Sequence, residues 1–382
     1  KKESYKLDYI GHDELGMKKI DYAEYDSIHT FYKSDWKKFV DYNIRDVEIV
    51  VKLEDKLSLI AVAVDMTYTA KCNFADVYFQ VRMWESIIYN ELKKDKIAPP
   101  LRHVRGGEHA AAGAYEGAYV KSPLIGMHDW VVSYDLASLY PHIVMQYNLG
   151  AETIVEGNEI GDMDFPKFIN IEEHINDLSK FDLIKQRDNW CVAGNNEYFR
   201  KDTVGIVPKI MSKMYVKRKD TKRKMIEHQK LAETSSGDEK KKHDDLAKRY
   251  KISQSAQKVC LNSGYGSIGN AFCRYYDVRV ATAITITGQL IIRYAEKTFN
   301  DFLNKHFGTD DYDYVVAMDT DSCYLRLGNV VTGNDNPVDE LDSFCKKHLD
   351  PLITEAFQKL SDAMGCKENK MVMEREAIAD KA

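Results

Sequence analysis

The stretch VVAMDTDSCYL, Val315 to Leu325, leaves the backbone few choices. β-Branched and aromatic residues on both sides (Val315, Val316, Tyr324, Leu325) predict two short strands, with Asp319, Thr320 and Asp321 at the tight turn between them. An antiparallel hairpin with two carboxylates at its bend follows. Carboxylates this close repel each other, and burying one is costly unless something neutralises it. A divalent cation would do so, whereas an exposed Asp-rich turn would avoid the cost. The hairpin alone does not choose between these.

At 382 residues the chain exceeds what one hydrophobic core usually supports, so two or three structural units are expected. With 44% hydrophobic and 30% charged residues it is globular rather than disordered. Its longest mainly apolar run, LSLIAVAV from Leu57 to Val64, is too short to span a bilayer, and no signal segment opens the sequence. A soluble, intracellular protein with no membrane partner is expected. Seven scattered cysteines without a CxxC pair fit reduced core thiols rather than a zinc site. The chain starts on Lys1 and stops at REAIADKA, and a fragment of a longer protein is expected.

Net charge is −6, yet Arg200 to Lys258 carries eighteen Lys or Arg against eight Asp or Glu, a local +10 that leaves −16 elsewhere. A basic arm on an acidic body points to a polyanion met at one place, although a solvated helical face would look the same. Periodicity predicts helices over 30–60, with Ser34 or Asp35 as N-cap and apolar residues at Phe39, Val40, Ile44 and Val47, and over 209–231, 244–263 and 281–303. The polar connector ETSSGDEKKKHD reads as the tip of an antiparallel helix pair, 99–113 as a linker, 130–134 as a buried strand, and 194–196 as a hairpin turn.

Partners for the acidic hairpin lie elsewhere. In SYDLASLYPHI, Ser133 to Ile143, an apolar strand ends on Asp135, and Pro141 suits the first turn of a helix. Backbone N–H groups between Leu136 and Tyr140, those of Ser138 and Leu139 included, could there meet anionic oxygens. In QKVCLNSGYGSIGN, Lys258, Asn262 and Tyr265 stand at i, i+4 and i+7, on one helical face. On the preceding helix Arg218 and Lys222 are four apart, so two cationic stripes could clamp a triphosphate.

SYDLASLYP, KVCLNSGYG and MDTDS resemble motifs A, B and C of the family B DNA polymerases, in that family's order. YEGAYVKSP at 115–123 resembles its exonuclease-to-polymerase linker and MEREAI, Met373 to Ile378, a palm segment, most similar to the enzymes of T4-like bacteriophages. The resemblance implies an α+β fold: an antiparallel-sheet palm at 130–204 and 271–382, helical fingers at 205–270, a linker at 99–129 and the end of a ribonuclease-H-like 3′–5′ exonuclease at 1–98, the thumb missing. It implies DNA-templated addition of dNTPs to a primer 3′-OH with two Mg²⁺ ions, held by Asp135, Asp321 and the Leu136 carbonyl, with Asp319 and Glu376 nearby. Lys258 would serve catalysis, Arg218, Lys222 and Asn262 would hold the triphosphate with Ser138 and Leu139, Tyr140 would exclude a ribose 2′-OH, and Tyr265 would pack near the nascent base pair. Tyr42 and Asp46, in FVDYNIRDVEI, resemble the third exonuclease motif.

Primer–template DNA and dNTPs are the implied partners, with a sliding clamp reached through sequence beyond this chain and host cytoplasm as the location if the source is a phage. Met318 stands where most relatives have Gly, and His142 where Ser is usual; both could alter primer packing. A template-dependent RNA polymerase or reverse transcriptase also uses paired aspartates, but Tyr140 and the KxxxNSxYG helix argue against it. An inactive DNA-binding relic is opposed by the retention of Asp135 and Asp321.

Overall fold

The computed structural model describes residues 2–101, 116–157, 170–181, 188–331 and 336–382. The chain forms two compact units, Lys1–Thr69 with Thr221–Ala256, and Ala70–Asp220 with Gln257–Ala382. Most of the linker expected at 99–113 lies outside the described residues. Among those described, no helix is long and apolar enough to cross a membrane, and all seven cysteines are unbonded.

In the first unit the single helical stretch expected over 30–60 is three helices. Helix α1 (Leu7–Leu15) precedes α2 (Ile28–Ser34), α3 (Trp36–Leu57) and α4 (Leu59–Ala70). Asp35 breaks α2 from α3, its carboxylate accepting from the Lys38 N–H as an N-cap, and Ser58 in the left-handed region (φ 54°) ends α3. The apolar recurrence marked the helix but the wrong face. Val40, Ile44 and Val47 are 37%, 52% and 57% exposed, while Tyr42, Ile49 and Leu53 are buried with Phe31. The reason is α1, where Gly11 lets Ile49 approach so closely that a Cβ there would sit 2.9 Å from Ile49 Cγ2.

The second unit is built on an antiparallel sheet of order β1-β5-β6-β2-β7. Its strands are β1 (Val120–Lys121), β2 (Asp129–Leu136), β5 (Val315–Asp319), β6 (Ser322–Arg326) and β7 (Met373–Lys381); β3 (Trp190–Val192) and β4 (Tyr198–Arg200) form a separate hairpin. The remaining helices are α5 (Gln80–Lys94), α6 (Leu139–Gln146), α7 (Ile171–Asn176), α8 (Ile206–Thr234), α9 (Gly237–Ile268), α10 (Val278–Phe307), α11 (Pro337–Phe344) and α12 (Asp350–Ala363). Helices α8 and α9 continue into the first unit. Their polar connector is mostly helical and only Ser235 and Ser236 separate them, because polar residues suit exposed helix faces and Gly237 (φ 59°) makes the reversal.

Helix α10 carries the sheet's core. Asp277 caps it by accepting from the Arg279 N–H, Gly308 (φ 65°) ends it, and its Ala-, Ile- and Leu-rich face is buried. Phe299 lies 5.3 Å from the ring of Tyr134 on β2, whose hydroxyl donates to Asp350 Oδ1 at 2.7 Å. The hairpin expected at 194–196 is present, and its Gly194 presses on α10, the N–H donating to Thr287 Oγ1 at 2.8 Å. A Cβ at Gly194 would lie 2.8 Å from the Ile286 and Thr287 backbone. Gly194→Ala is therefore expected to destabilise the fold by about 1–3 kcal/mol in urea or thermal unfolding. An unchanged midpoint would mean that the hairpin does not bear on α10.

The structure also divides the segment expected as one piece at 1–98. Residues 70–98 belong with the sheet unit, because Trp84 of α5 packs on α9: its indole N–H donates to the Cys260 carbonyl at 3.0 Å and Ser263 Oγ at 3.1 Å. Likewise the segment 205–270 is divided, its part 221–256 clustering with the first unit.

Candidate active site

Strand register brings the sequence-predicted carboxylates together. Asp135, near the end of β2, stands opposite Ser322 at the start of β6, and Ser322 stands opposite Asp319 at the end of β5. Asp321 sits in the two-residue turn between β5 and β6, where Thr320 takes the left-handed conformation (φ 57°). That turn is fastened to β2, since the Leu136 N–H donates to the Asp321 carbonyl at 2.8 Å. Ser322 Oγ donates to Asp135 Oδ2 at 3.1 Å. Strand β1, from the resembling linker motif, flanks the hairpin by pairing Val120 with Asp319.

Glu374 faces Asp135 from β7, and Glu376 lies two residues further on with an exposed side chain. Burial pushes the Asp135 carboxyl above its ordinary range, the Ser322 hydroxyl pulls it back, Glu376 and Glu374 raise it further, and Lys258 lowers it. Burial, then Asp135, then Asp319 and Glu376 push Asp321 up to about 6. Among the described residues neither aspartate forms an ion pair. This is a nest of hard oxygen donors short of positive charge. No three His, Cys, Asp or Glu side chains among the described residues close into a complete metal cage. A cation held here would keep water or substrate oxygens in its shell, as Mg²⁺ does.

On α9, Lys258 and Asn262 are exposed and Tyr265 is half-buried, its ring 4.6 Å from that of Tyr140 at 33°. The Trp84 ring fixes this part of α9 against Gly264, where a Cβ would lie 2.7 Å from Trp84 Cζ2. Tyr140 in turn lies near Gly288 of α10, where a Cβ would meet its ring at 3.4 Å. Arg218, on α8, is half-buried with its Nε unpartnered. Lys222 is exposed and belongs to the first unit.

The backbone donors expected between Leu136 and Tyr140 are fewer than the sequence promised. Leu136 is spent on Asp321, and the Ala137 N–H donates to the Val372 carbonyl at 2.9 Å. This leaves Ser138 (φ 54°) and Leu139, at the start of α6, as the candidates. His142 and Met318 face inward. Met318 is 1% exposed. His142 is buried against Tyr215 (rings 4.6 Å apart), with Nδ1 2.6 Å from the Ala137 carbonyl, and burial lowers its pKa. The neutral imidazole donates from Nδ1 and braces the turn after Asp135.

In the first unit, Tyr42 is buried beside Tyr22, ring to ring at 5.3 Å, and Asp46 Oδ2 pairs with Lys19 Nζ at 2.8 Å. Asp46 Oδ1 has no partner. Sequence reasoning missed Lys19, Ser322, Trp84 and Gly288. Of these only Ser322 left a signal, standing next to Asp321.

Residues 77–335 match the profile of DNA polymerase family B, and the chain belongs to that family. It is similar to the DNA-directed DNA polymerases of Escherichia phage RB69 (30% identical) and Enterobacteria phage T4 (31%), each over 98% of this chain and 45% of the relative. The DNA polymerase delta catalytic subunit of Plasmodium falciparum is 26% identical over 94% of this chain and 30% of its own length. The chain thus spans a little under half the length of the phage relatives it matches.

The electrostatics give a direct test. Asp321 is pushed from 3.8 to about 6, so this group's contribution to stability is complete below its unfolded value and is lost as pH rises through about 6. Asp321→Asn should therefore stabilise the fold at pH 7.5 without divalent ions by on the order of 1 kcal/mol after discounting for solvent screening, read as a raised melting temperature. It should give no gain at pH 4. Equal effects at both pH values would contradict the charge-repulsion account.

Proposed function

We propose that this chain carries the polymerising part of a DNA-templated DNA polymerase that extends a primer 3′-OH with dNTPs. Residues 130–204 and 271–382 would serve as palm and 99–129 as linker; of 205–270, read as fingers, 221–256 clusters with the first unit, and of 1–98, read as the C-terminal part of a 3′–5′ exonuclease, 70–98 clusters with the sheet. What carries the reading is the pair Asp135 and Asp321, brought side by side by the β2–β6 register with their charge uncompensated.

The donor set suits Mg²⁺, because a hard ion that retains waters needs only one or two carboxylates plus substrate phosphates. Asp135, Asp321 and the Leu136 carbonyl would hold two such ions, with Asp319 and Glu376 close by. When bound, the ions would supply Lewis acidity at the reacting phosphate and make the primer hydroxyl easier to deprotonate. The chain's own groups do the rest. Lys258 sets a cation beside the phosphate oxygens, and its field already reaches Asp135. Arg218, whose Nε is buried, would meet phosphate oxygens through the terminal nitrogens of its guanidinium, Asn262 would add a donor from α9, and Lys222 is the further cation expected on α8. Tyr140, held against Tyr265, offers a wall that excludes a 2′-hydroxyl.

In 1–98, Asp46 would bind a metal and Tyr42 would orient the attacking water. Asp46 is engaged by Lys19, and Tyr42 is buried. Lys19 would have to yield before a cation could sit there.

Single-turnover primer extension tests the polymerase reading. Asp135→Ala and Asp321→Ala should each slow nucleotide addition by roughly 10³-fold or more with DNA affinity largely kept, and near-normal rates would end the assignment. Tyr140→Ala should raise the ratio of ribo- to deoxyribonucleotide incorporation by roughly 10²-fold. No change in that ratio would make Tyr140 a packing residue only.

A further inference from the structure

A cavity of about 460 Å³ opens in the second unit, away from the carboxylates, where five elements meet. It is lined from the end of α5 (Leu92), the segment after α6 (Leu149), the start of α8 (Val207), the end of α9 (Ile268) and the start of α10 (Val280). These five side chains are buried, and each is under 10% exposed. The mouth is apolar as well, with Ile97 and Val204 at 53% and 67% exposed. A volume of this size matches a small organic ligand rather than a few waters, and pockets that hold such ligands combine apolar walls with few polar groups.

Charge sets the class of that ligand. Four charged side chains line the cavity: Asp95, Glu152, Lys209 and Arg274. Lys209 Nζ pairs with Asp95 Oδ2 at 2.8 Å. Glu152 accepts from the Ile206 N–H and so satisfies the start of α8. Arg274 is the exception. Its main-chain N–H donates to Glu85 Oε1 at 2.8 Å, but its guanidinium is in no ion pair or hydrogen bond among the described residues. The Tyr275 and Tyr276 side chains complete the lining beside it. With Asp95 and Lys209 paired and the Glu152 carboxylate spent on the N-terminus of α8, the one unengaged charged group in this apolar chamber is a guanidinium, which is complementary to an apolar body bearing one negative charge.

We propose that this cavity binds an amphipathic monoanion, an aryl or alkyl body carrying a single carboxylate or sulfonate that forks onto Arg274. The site is separate from the nucleotide-addition chemistry and does not depend on it. Because the ligand would touch the roots of α8, α9 and α10 together, its occupancy would stiffen the base from which both basic helices leave.

Fluorescence titration with 8-anilinonaphthalene-1-sulfonate, competed by decanoate, tests this on the natively folded protein. One saturable site is expected, displaced by decanoate and weakened at least tenfold by Arg274→Gln. Val204→Trp, at the exposed mouth where the fold is not at stake, should block it, with unchanged circular dichroism and melting temperature showing that the variants fold. Absence of saturable binding to the unaltered protein would overturn the proposal. So would equal affinity in Arg274→Gln, or undiminished binding in Val204→Trp.

Discussion

One main-chain hydrogen bond, from the Leu136 N–H to the Asp321 carbonyl, joins the two strand ends on which the candidate site depends. It lies just past the β2–β6 ladder, whose last pair is Asp135 with Ser322. A single such bond contributes only about 1 kcal/mol net, less than two close carboxylates can cost. It is the whole ladder, anchored on the other side by β7, that holds like charges where they would not otherwise stay. The fold accepts this electrostatic cost at one point, and carboxylates perturbed in this way gather at functional sites.

Support for the rest of the site comes from close approaches between side chains and glycines. Trp84 settles α9 at Gly264, and Tyr140 lies beside Gly288 of α10 while its ring meets Tyr265. His142 steadies the Ala137 carbonyl, one residue beyond the Leu136 carbonyl that would serve as an oxygen ligand. Each contact braces a group that the proposed reaction would use, and none would itself supply a reacting atom. Rigid bracing of this kind is what precise phosphate geometry requires.

Much of this was legible in the sequence. β-Branched and aromatic residues on either side of Asp319 and Asp321 identified the hairpin, and helical spacing identified α8, α9 and α10 to within several residues of their ends. The failures share a cause. The periodicity of Val40, Ile44 and Val47 could not say which face α1 would cover, and a tryptophan at position 84 gives no hint of a partner at 263. The donor count between Leu136 and Tyr140 failed because Val372 and Asp321 claim two of the N–H groups from distant parts of the chain. Local pattern reports local structure; long-range partners leave no local trace.

Trp84 and Cys260 are separated by 176 positions, and this distance governs how the chain acquires its shape during synthesis. Helix α5 emerges long before its partner and must carry a large apolar face, including Trp84 and Ile88, without the helix that eventually covers it. Contacts so remote in sequence reward the chain only after a large loop has closed. The seating of α9, and with it Lys258, is therefore a late event on the ribosome, and the nascent chain is most exposed to aggregation or chaperone capture in the interval between residues 84 and 260.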